Sequence, residues 1–195
     1  MVTIAVAIAV VVTARSSLAD HYFVPSGSML PTVEPDDHVL VDKLAYGLRV
    51  PLRDDYALHF SPPARGDVVV LLSPDDGRVL LKRVVGVPGD RVTVTGGTLV
   101  IDGLSVPVVD RGGASIEELG AINHAISLAA GGGPDFGPVR IPAGRYLVLG
   151  DNRGDSRDGR YFGLVTHDAI LGRAQGIILR HGSPTWVGLG RGTNP

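Results

Sequence analysis

The sequence predicts a mainly β protein with an antiparallel β core, a short inserted β/helical region and an N-terminal membrane-anchor helix. Gly and Pro occupy 27 and 14 of the 195 positions, a density of chain breakers that disfavours a helical bundle. Short apolar runs bounded by turn residues recur along most of the chain, as expected for strands. A long uncharged run stands at the N-terminus and is the basis for the predicted anchor.

The N-terminal run carries no charge before Arg15. As a helix, residues 1–18 would reach about 27 Å, close to the roughly 30 Å hydrocarbon core of a bilayer. We expect residues 1–20 to form a single membrane anchor with Arg15 at an interface. A secretory signal peptide and a buried core helix stay open as alternatives, although no basic segment precedes the run. A start upstream of Met1 would also explain the shortness of the run.

After Asp20 the composition becomes that of a globular protein. Turn signals such as Gly96-Gly97 separate neighbouring apolar runs and predict antiparallel hairpins. The predicted strands are residues 39–41, 68–72, 78–87, 91–94, 98–101, 104–109, 146–149 and 174–179.

One helix is predicted after the anchor, over residues 115–130. Ser115 is followed three residues later by Glu118, the spacing of a capping box, and three glycines follow the predicted end. We place this helix in an inserted region, residues 102–140, which divides a β core made of residues 21–101 and 141–180. Residues 181–195 are Gly-rich and are predicted to form a loose tail.

Charge and composition exclude several classes of function. The chain has 18 basic and 20 acidic residues, so we expect no nucleic-acid partner bound through bulk electrostatics. The absence of Cys excludes disulfides, a thiol nucleophile and Cys-containing zinc sites. Neither a Gly-x-Ser-x-Gly elbow nor a His-Glu-x-x-His motif is present, which leaves a Ser-His-Asp hydrolase or zinc peptidase with little support.

In the segment at residues 25–32, two serines, Ser26 and Ser28, flank Gly27 and lie between two prolines. Glycine permits a tight turn and proline stiffens the ends, so a serine and nearby backbone N–H groups can be held in fixed geometry. A nucleophile with an oxyanion hole needs this arrangement. An ordinary polar turn is the alternative interpretation.

The chain has only two lysines, and Lys82 lies within an apolar run. On a strand, Leu80, Lys82 and Val84 share one face, whereas Arg83 points to the other. An amine between aliphatic side chains is desolvated, which lowers its pKa and makes it a competent general base for a serine hydroxyl. The alternative is a lysine that protects the edge of a sheet.

A polar segment at residues 150–160 follows a predicted strand and contains three Asp, three Arg, an Asn and a Ser. A calcium-binding EF-hand loop does not fit, because Arg153 and Phe162 stand where ligands are required. Opposite charges at this density are expected to tie a loop by ion pairs around a site.

Together these segments resemble the bacterial type I signal peptidases, membrane peptidases that use a Ser-Lys dyad. The resemblance runs from about residue 17 to about residue 178, and its first and third blocks are the most specific. The matching blocks are residues 24–32 (Val-Pro-Ser-Gly-Ser-Met-Leu-Pro-Thr), 65–70 (Arg-Gly-Asp-Val-Val-Val), 81–90 (Leu-Lys-Arg-Val-Val-Gly-Val-Pro-Gly-Asp), 150–153 (Gly-Asp-Asn-Arg), 160–163 (Arg-Tyr-Phe-Gly) and 172–174 (Gly-Arg-Ala).

The resemblance implies a signal-peptidase-like antiparallel β core and a role for each matching residue. Ser28 would be the nucleophile and Lys82 the general base. Ser26 would supply an oxyanion-hole hydroxyl beside the Ser28 backbone N–H. The remaining implied roles are support of the dyad by Ser156, by an Asp158–Arg160 ion pair and by an Asp151–Arg83 ion pair, and a substrate pocket lined by Val24, Pro25, Met29 and Leu81.

The last block departs from the family's usual pattern of Asp-Asn-Arg-Asp-Asn-Ser-x-Asp-Ser-Arg. Gly154 replaces an acidic residue, Asp155 replaces an Asn, and Gly159 replaces a Ser.

The implied function is a membrane-anchored serine endopeptidase that cleaves signal peptides from exported preproteins. Such an enzyme needs no metal and no cofactor, and its partners are preproteins and the lipid bilayer. It would lie in the cytoplasmic membrane as a single-pass protein with its catalytic domain on the outer, extracytoplasmic face. A conjugative pilin-processing Ser-Lys peptidase and a non-enzymatic anchored β domain are the alternatives.

Overall fold

The computed structural model describes residues 19–49 and 56–189. They form a mainly β structure, with a single-turn 3₁₀ helix at Gly27–Met29 and a short helix, α1, at Gly159–Phe162. The strands are β1 (Ala19–Phe23), β2 (His38–Asp42), β3 (Gly47–Arg49), β4 (Tyr56–His59), β5 (Val68–Leu72), β6 (Val79–Gly86), β7 (Arg91–Thr95), β8 (Thr98–Ile101), β9 (Leu104–Ser105), β10 (Val108–Arg111), β11 (Ala114–Leu119), β12 (Ile122–Ile126), β13 (Phe136–Arg140), β14 (Arg145–Leu149), β15 (Val165–Thr166), β16 (Ile170–Arg180) and β17 (Ser183–Gly188). The prediction of a mainly β fold is confirmed.

The largest sheet has eight strands in the order β1-β2-β16-β5-β6-β14-β15, with β17 paired to β16. Its pairs are antiparallel, and the predicted hairpin of β5 and β6 places Val69 opposite Lys82. β5 is buried on both faces, which is why it is a continuous run of Val and Leu. Apolar clusters flank this sheet, and the first of them includes Val24, Met29 and Val70.

Three smaller sheets complete the described fold: β10-β11-β12, β13-β7-β8-β9 and the two-stranded β3-β4. The four-stranded sheet combines β7 and β8, from the part predicted as core, with β9 and β13 from the predicted insertion. A third apolar cluster, which includes Val85, Leu99 and Leu147, packs this sheet against the main one. The insertion therefore shares a core with the domain that it interrupts.

The predicted helix over residues 115–130 is wrong, because the chain there forms the β11–β12 hairpin. Gly120 turns the chain between the two strands at a φ of +70°, a conformation that residues with a Cβ adopt rarely. The predicted loose tail is wrong in part, since β17 pairs with β16 over part of it.

The predicted membrane anchor, residues 1–20, lies outside the described residues except for its last two. Those two, Ala19 and Asp20, belong to β1 and pair with β2, so the predicted end of the anchor at residue 20 is wrong. Within residues 19–49 and 56–189, no helix has the length and hydropathy needed to cross a bilayer.

Candidate active site

The segment around Ser28 forms a tight turn that projects the serine from the sheet. The 3₁₀ turn at Gly27–Met29 is closed by the Leu30 N–H, which donates to the Gly27 carbonyl at 3.1 Å. Met29 is fully buried in the first apolar cluster and anchors the turn, while Ser28 stays partly accessible. Ser26 has extended backbone and an exposed side chain beside it.

Lys82 reaches this turn from β6. Its side chain is 2% exposed, and its Nζ lies 2.8 Å from the Ser28 Oγ. The same nitrogen donates to the Leu81 carbonyl, also at 2.8 Å. Burial lowers the pKa of Lys82 to about 8, although the charges of Asp158 and Asp151 act in the opposite direction. At pH 7 roughly one amine in ten is therefore neutral and able to accept a proton from Ser28.

Ser156 is buried near the dyad but does not contact Lys82 as the resemblance implied. Its Oγ has no hydrogen-bond partner among the described residues, because the Lys82 amine is directed at Ser28 and Leu81 instead. A Cβ on Gly150 would lie 2.2 Å from the Ser156 Oγ and 2.4 Å from the Ser28 carbonyl oxygen. The expected hydrogen bond is thus absent, and Ser156 instead packs beside the backbone of the turn.

Asp158 and Arg160 form the ion pair expected of them. Arg160 donates from Nε and a terminal nitrogen to the two carboxylate oxygens, each at 2.8 Å, and both side chains are buried. Asp158 also caps α1 and accepts from the Gly150 N–H at 2.9 Å. Arg160 donates further to the Gly132 carbonyl in the insertion. The pair therefore fixes the loop between β14 and α1 from both sides.

Asp151 and Arg83 form a second buried pair. Arg83 donates from Nε at 2.9 Å and from a terminal nitrogen at 2.7 Å, and the Thr32 hydroxyl donates to the same carboxylate at 2.6 Å. Burial alone would raise the pKa of Asp151, but the charge and hydrogen bonds of Arg83 and the Thr32 hydroxyl lower it to about 2. Arg83 also holds the Gly66 carbonyl at 2.9 Å.

Asn152 connects this loop to the nucleophile turn, a role that the sequence analysis missed. Its backbone N–H donates to the Ser28 carbonyl at 3.1 Å, and its side-chain amide donates to the Gly27 carbonyl at 3.0 Å. The signal available in the sequence was its place between Asp151 and Arg153 in the polar segment.

A cleft of about 330 Å³ opens beside the dyad. Val24, Pro25 and Leu81 line it as predicted, together with Ser26, Ser28 and Lys82. Further lining residues, which the sequence did not indicate, are Tyr22, Phe23, Val39, Val70, Arg78, Val79 and Leu80. Met29 is not part of the cleft, because its side chain is fully buried on the core side of the turn.

Gly154 and Gly159, where the sequence departs from the family's usual pattern, lie in tightly packed positions that leave no room for a Cβ. A Cβ on Gly154 would lie 2.4 Å from the Ala130 carbonyl carbon and oxygen, and one on Gly159 would lie 2.7 Å from a Leu147 methyl carbon. The insertion thus passes so close to the loop that residue 154 cannot carry a side chain without a shift.

Residues 19–49 and 56–189 contain no group of three or more His, Asp and Glu side chains placed to hold a metal ion. Near the dyad, Asp151 is paired with Arg83 and Asp158 with Arg160. In the cleft, the Ser28 hydroxyl lies within reach of the buried Lys82 amine. This arrangement is suited to acyl transfer by a serine.

Comparison with known proteins agrees with this chemistry. The family described as "Signal peptidase, peptidase S26" matches residues 1–179. The chain belongs to this family of serine peptidases. Signal peptidase I of Pseudomonas fluorescens is 37% identical over 90% of this chain and 70% of its own length, and that of Leptolyngbya laminosa is 35% identical over 88% and 74%.

Two further relatives extend the comparison. Signal peptidase I T of Bacillus subtilis is 31% identical over 90% of this chain and 81% of its own length. A crystal structure of a signal peptidase I from Enterococcus faecalis aligns at a TM-score of 0.40 and 31% identity, covering 58% of this chain and 97% of that one.

Proposed function

We propose that the protein is a signal peptidase that cleaves signal peptides from exported preproteins, with Ser28 as the nucleophile and Lys82 as the general base. The observation that carries the assignment of residues is the 2.8 Å approach of a buried amine of lowered pKa to a serine in an open cleft. Membership of the signal peptidase family supports the reaction and the class of substrate.

The geometry supports the following sequence of proton transfers. The neutral Lys82 amine takes the Ser28 proton as the Oγ attacks the carbonyl carbon of the scissile bond. The resulting ammonium donates its proton to the leaving amine, which departs with the mature protein. Water then attacks the acyl carbonyl carbon while one of its protons passes to Lys82. The ester bond to Ser28 breaks, the signal peptide leaves with a new carboxylate, and the Lys82 ammonium returns a proton to the Ser28 Oγ.

The oxyanion of the tetrahedral intermediate needs donors that are already in place. We assign this role to the Ser28 backbone N–H and the Ser26 hydroxyl. The exposed Ser26 side chain and the extended backbone at that residue support this assignment, because the hydroxyl can turn toward a carbonyl seated above Ser28.

The cleft supports selection of small, apolar residues before the scissile bond. It is walled by Val24, Pro25 and Leu81, and most of its lining residues are apolar. A bulky or charged side chain would clash or lose its hydration there.

We further propose that the segment before β1, residues 1–18, holds the enzyme in the cytoplasmic membrane as a single-pass anchor, with the catalytic domain on the extracytoplasmic face. The uncharged N-terminal run and the location of exported substrates support this arrangement. In the described part of the chain, β1 begins at Ala19 and forms one wall of the cleft, which would place the active site near the bilayer surface.

The test is processing of preproteins by purified full-length protein in detergent, with a pilin precursor in the same panel. We expect cleavage at the signal-peptide junction, and loss of at least about 10³-fold in kcat for Ser28→Ala and for Lys82→Arg, because arginine cannot act as a base. Thermal unfolding checks that both variants fold. Full activity in Lys82→Arg contradicts the assigned base, and cleavage of pilin alone identifies the alternative substrate class.

A further inference from the structure

The β11–β12 hairpin of the insertion buries two ionisable side chains. Glu117 and His124 are directly opposite each other in the register of the hairpin, and their exposed fractions are 0% and 6%. Burial of a carboxylate removes it from water at a cost of several kcal/mol unless it is paired. Both residues face the polar loop at residues 150–160 that supports the dyad.

Glu117 is paired with Arg153, which belongs to that loop. Arg153 donates from its two terminal nitrogens to the carboxylate at 2.8 and 2.6 Å, and both side chains are completely buried. The same guanidinium donates to the Gly97 carbonyl at 2.6 Å and to the Gly150 carbonyl at 3.2 Å. Glu117 therefore orients an arginine that holds the end of β14.

His124 lies between two carboxylates. Its Nε2 is 3.3 Å from a Glu117 oxygen and 3.8 Å from an Asp151 oxygen. Neither ring nitrogen makes a hydrogen bond of good geometry within the described residues. Burial, together with the charge of Arg83, lowers the pKa of His124, so the ring is neutral at neutral pH.

The backbone continues this connection to the nucleophile. The Ser127 N–H, just after β12, donates to the Asp151 carbonyl at 2.9 Å, and the Arg153 N–H donates to the Ser127 carbonyl at 2.9 Å. Asn152, between those two residues, donates to the carbonyls of Gly27 and Ser28. Two contacts thus separate the end of β12 from the nucleophile.

We infer that Glu117 and His124 are positioning residues of the active site, which set the geometry of the Ser28 turn by fixing Arg153 and Asp151. The inference rests on the proposed function, because it concerns the same dyad. Neither residue touches the cleft, and both act through the loop.

Stability alone would not require this arrangement. The two carboxylates are balanced by Arg83 and Arg153, and a buried set of this kind contributes less to stability than well-packed apolar residues of the same volume. What the Glu117–Arg153 and Asp151–Arg83 pairs add is directional hydrogen bonding, which fixes the loop in one position. His124 contributes the polar contact of its Nε2 with both carboxylates, which sets the spacing between the two pairs. Displacement of a catalytic group by 1 Å can lower a rate by about 10²-fold.

The experiment uses five full-length variants in detergent. His124→Phe keeps an aromatic ring, slightly larger than imidazole, and removes both nitrogens, whereas His124→Gln keeps a neutral donor near the position of Nε2. Glu117→Gln removes the charge opposite Arg153. Asn123→Ser and Glu118→Gln are matched controls, since each lies one position away on the same hairpin and outside the buried cluster.

The readouts are kcat and KM on a signal-peptide substrate, together with the fraction of Ser28 acylated by a β-lactam-type inhibitor, measured by intact mass. We expect His124→Phe to lower kcat by about tenfold or more per acylatable site, with KM within about twofold. His124→Gln should recover most of this loss, and both controls should match the wild type.

A purely structural role gives a different result. Damage to folding lowers the fraction of acylatable Ser28 and leaves kcat per acylatable site unchanged, and this outcome would overturn the inference. If Glu117→Gln does not fold, the His124 variants decide the matter by themselves. Failure of the proposed function is distinguished by a wild type that does not cleave, or by a Ser28→Ala variant that does.

Discussion

Lys82 and Arg83 are adjacent on β6 and almost equally buried, but their hydrogen-bond partners differ. Lys82 makes hydrogen bonds to a hydroxyl and a carbonyl, and among residues 19–49 and 56–189 no carboxylate is within hydrogen-bonding distance of its amine. Arg83 binds the Asp151 carboxylate through two parallel hydrogen bonds. Consecutive residues of a strand point to opposite faces, so one strand serves two different environments.

This difference shows that the hydrogen-bond partners of a buried basic group, rather than its burial alone, determine whether it keeps its charge. A desolvated amine without a paired anion loses its proton easily, which is what a general base requires. A guanidinium with a bidentate partner keeps its charge and fixes geometry instead. The same few residues of sequence thus supply both a reactive group and a rigid support.

The largest expected effect on stability comes from removing the anion that is paired with Arg83. Asp151→Asn keeps the shape of the side chain but leaves the Arg83 charge buried without a counter-charge. We expect the free energy of unfolding to fall by about 3–5 kcal/mol. Chemical denaturation measures this loss, and Arg157→Gln, which removes an exposed pair with Asp75, is the control expected to change it by less than about 1 kcal/mol. Equal effects of the two variants would contradict the assigned importance of the buried pair.

The role of Lys82 as general base is tested by the pH dependence of cleavage. Because only the neutral form of Lys82 accepts the Ser28 proton, kcat/KM should rise about tenfold per pH unit below pH 8 and level off above it. The measurement is a pH profile of peptide cleavage between pH 6 and pH 9 on a single enzyme preparation. A flat profile over that range would show that the titration of this amine does not limit the reaction.

The smallest effect concerns the stability cost of the unpaired amine. Its pKa in the folded protein, about 8, is below the unfolded value of 10.5, so the folded state binds fewer protons between those values and the stability of the wild type rises with pH there. Lys82→Met removes this cost, and we expect it to raise the free energy of unfolding at pH 7 by on the order of 2 kcal/mol. The gain should shrink as the pH approaches 10.5, and a gain independent of pH would contradict the assignment.

Much of the fold could be predicted from local patterns. The runs at residues 68–72 and 78–87 became β5 and β6, because continuous Val and Leu between turn residues suit a buried hairpin. The motifs also indicated which residues meet: the structure brings Ser28 to Lys82 and Asp151 to Arg83, although their catalytic roles stay predictions.

The β11–β12 hairpin could not be predicted in the same way. Two of its buried positions are Glu117 and His124, so its buried face does not appear as an apolar alternation. The capping-box spacing at Ser115 then favoured a helix. The signal that was available is Gly120 in the middle of the segment, which interrupts a helix and supplies the turn of a hairpin.

The hydrogen bonds from Asn152 to the Ser28 turn have a consequence for the order in which the chain folds. A chain that has left the ribosome only as far as β6 already contains both dyad residues but lacks the segment that clamps the serine. Because β16, which follows this segment in the chain, lies between β2 and β5 in the main sheet, the dyad reaches its observed geometry only when that strand has also joined the sheet.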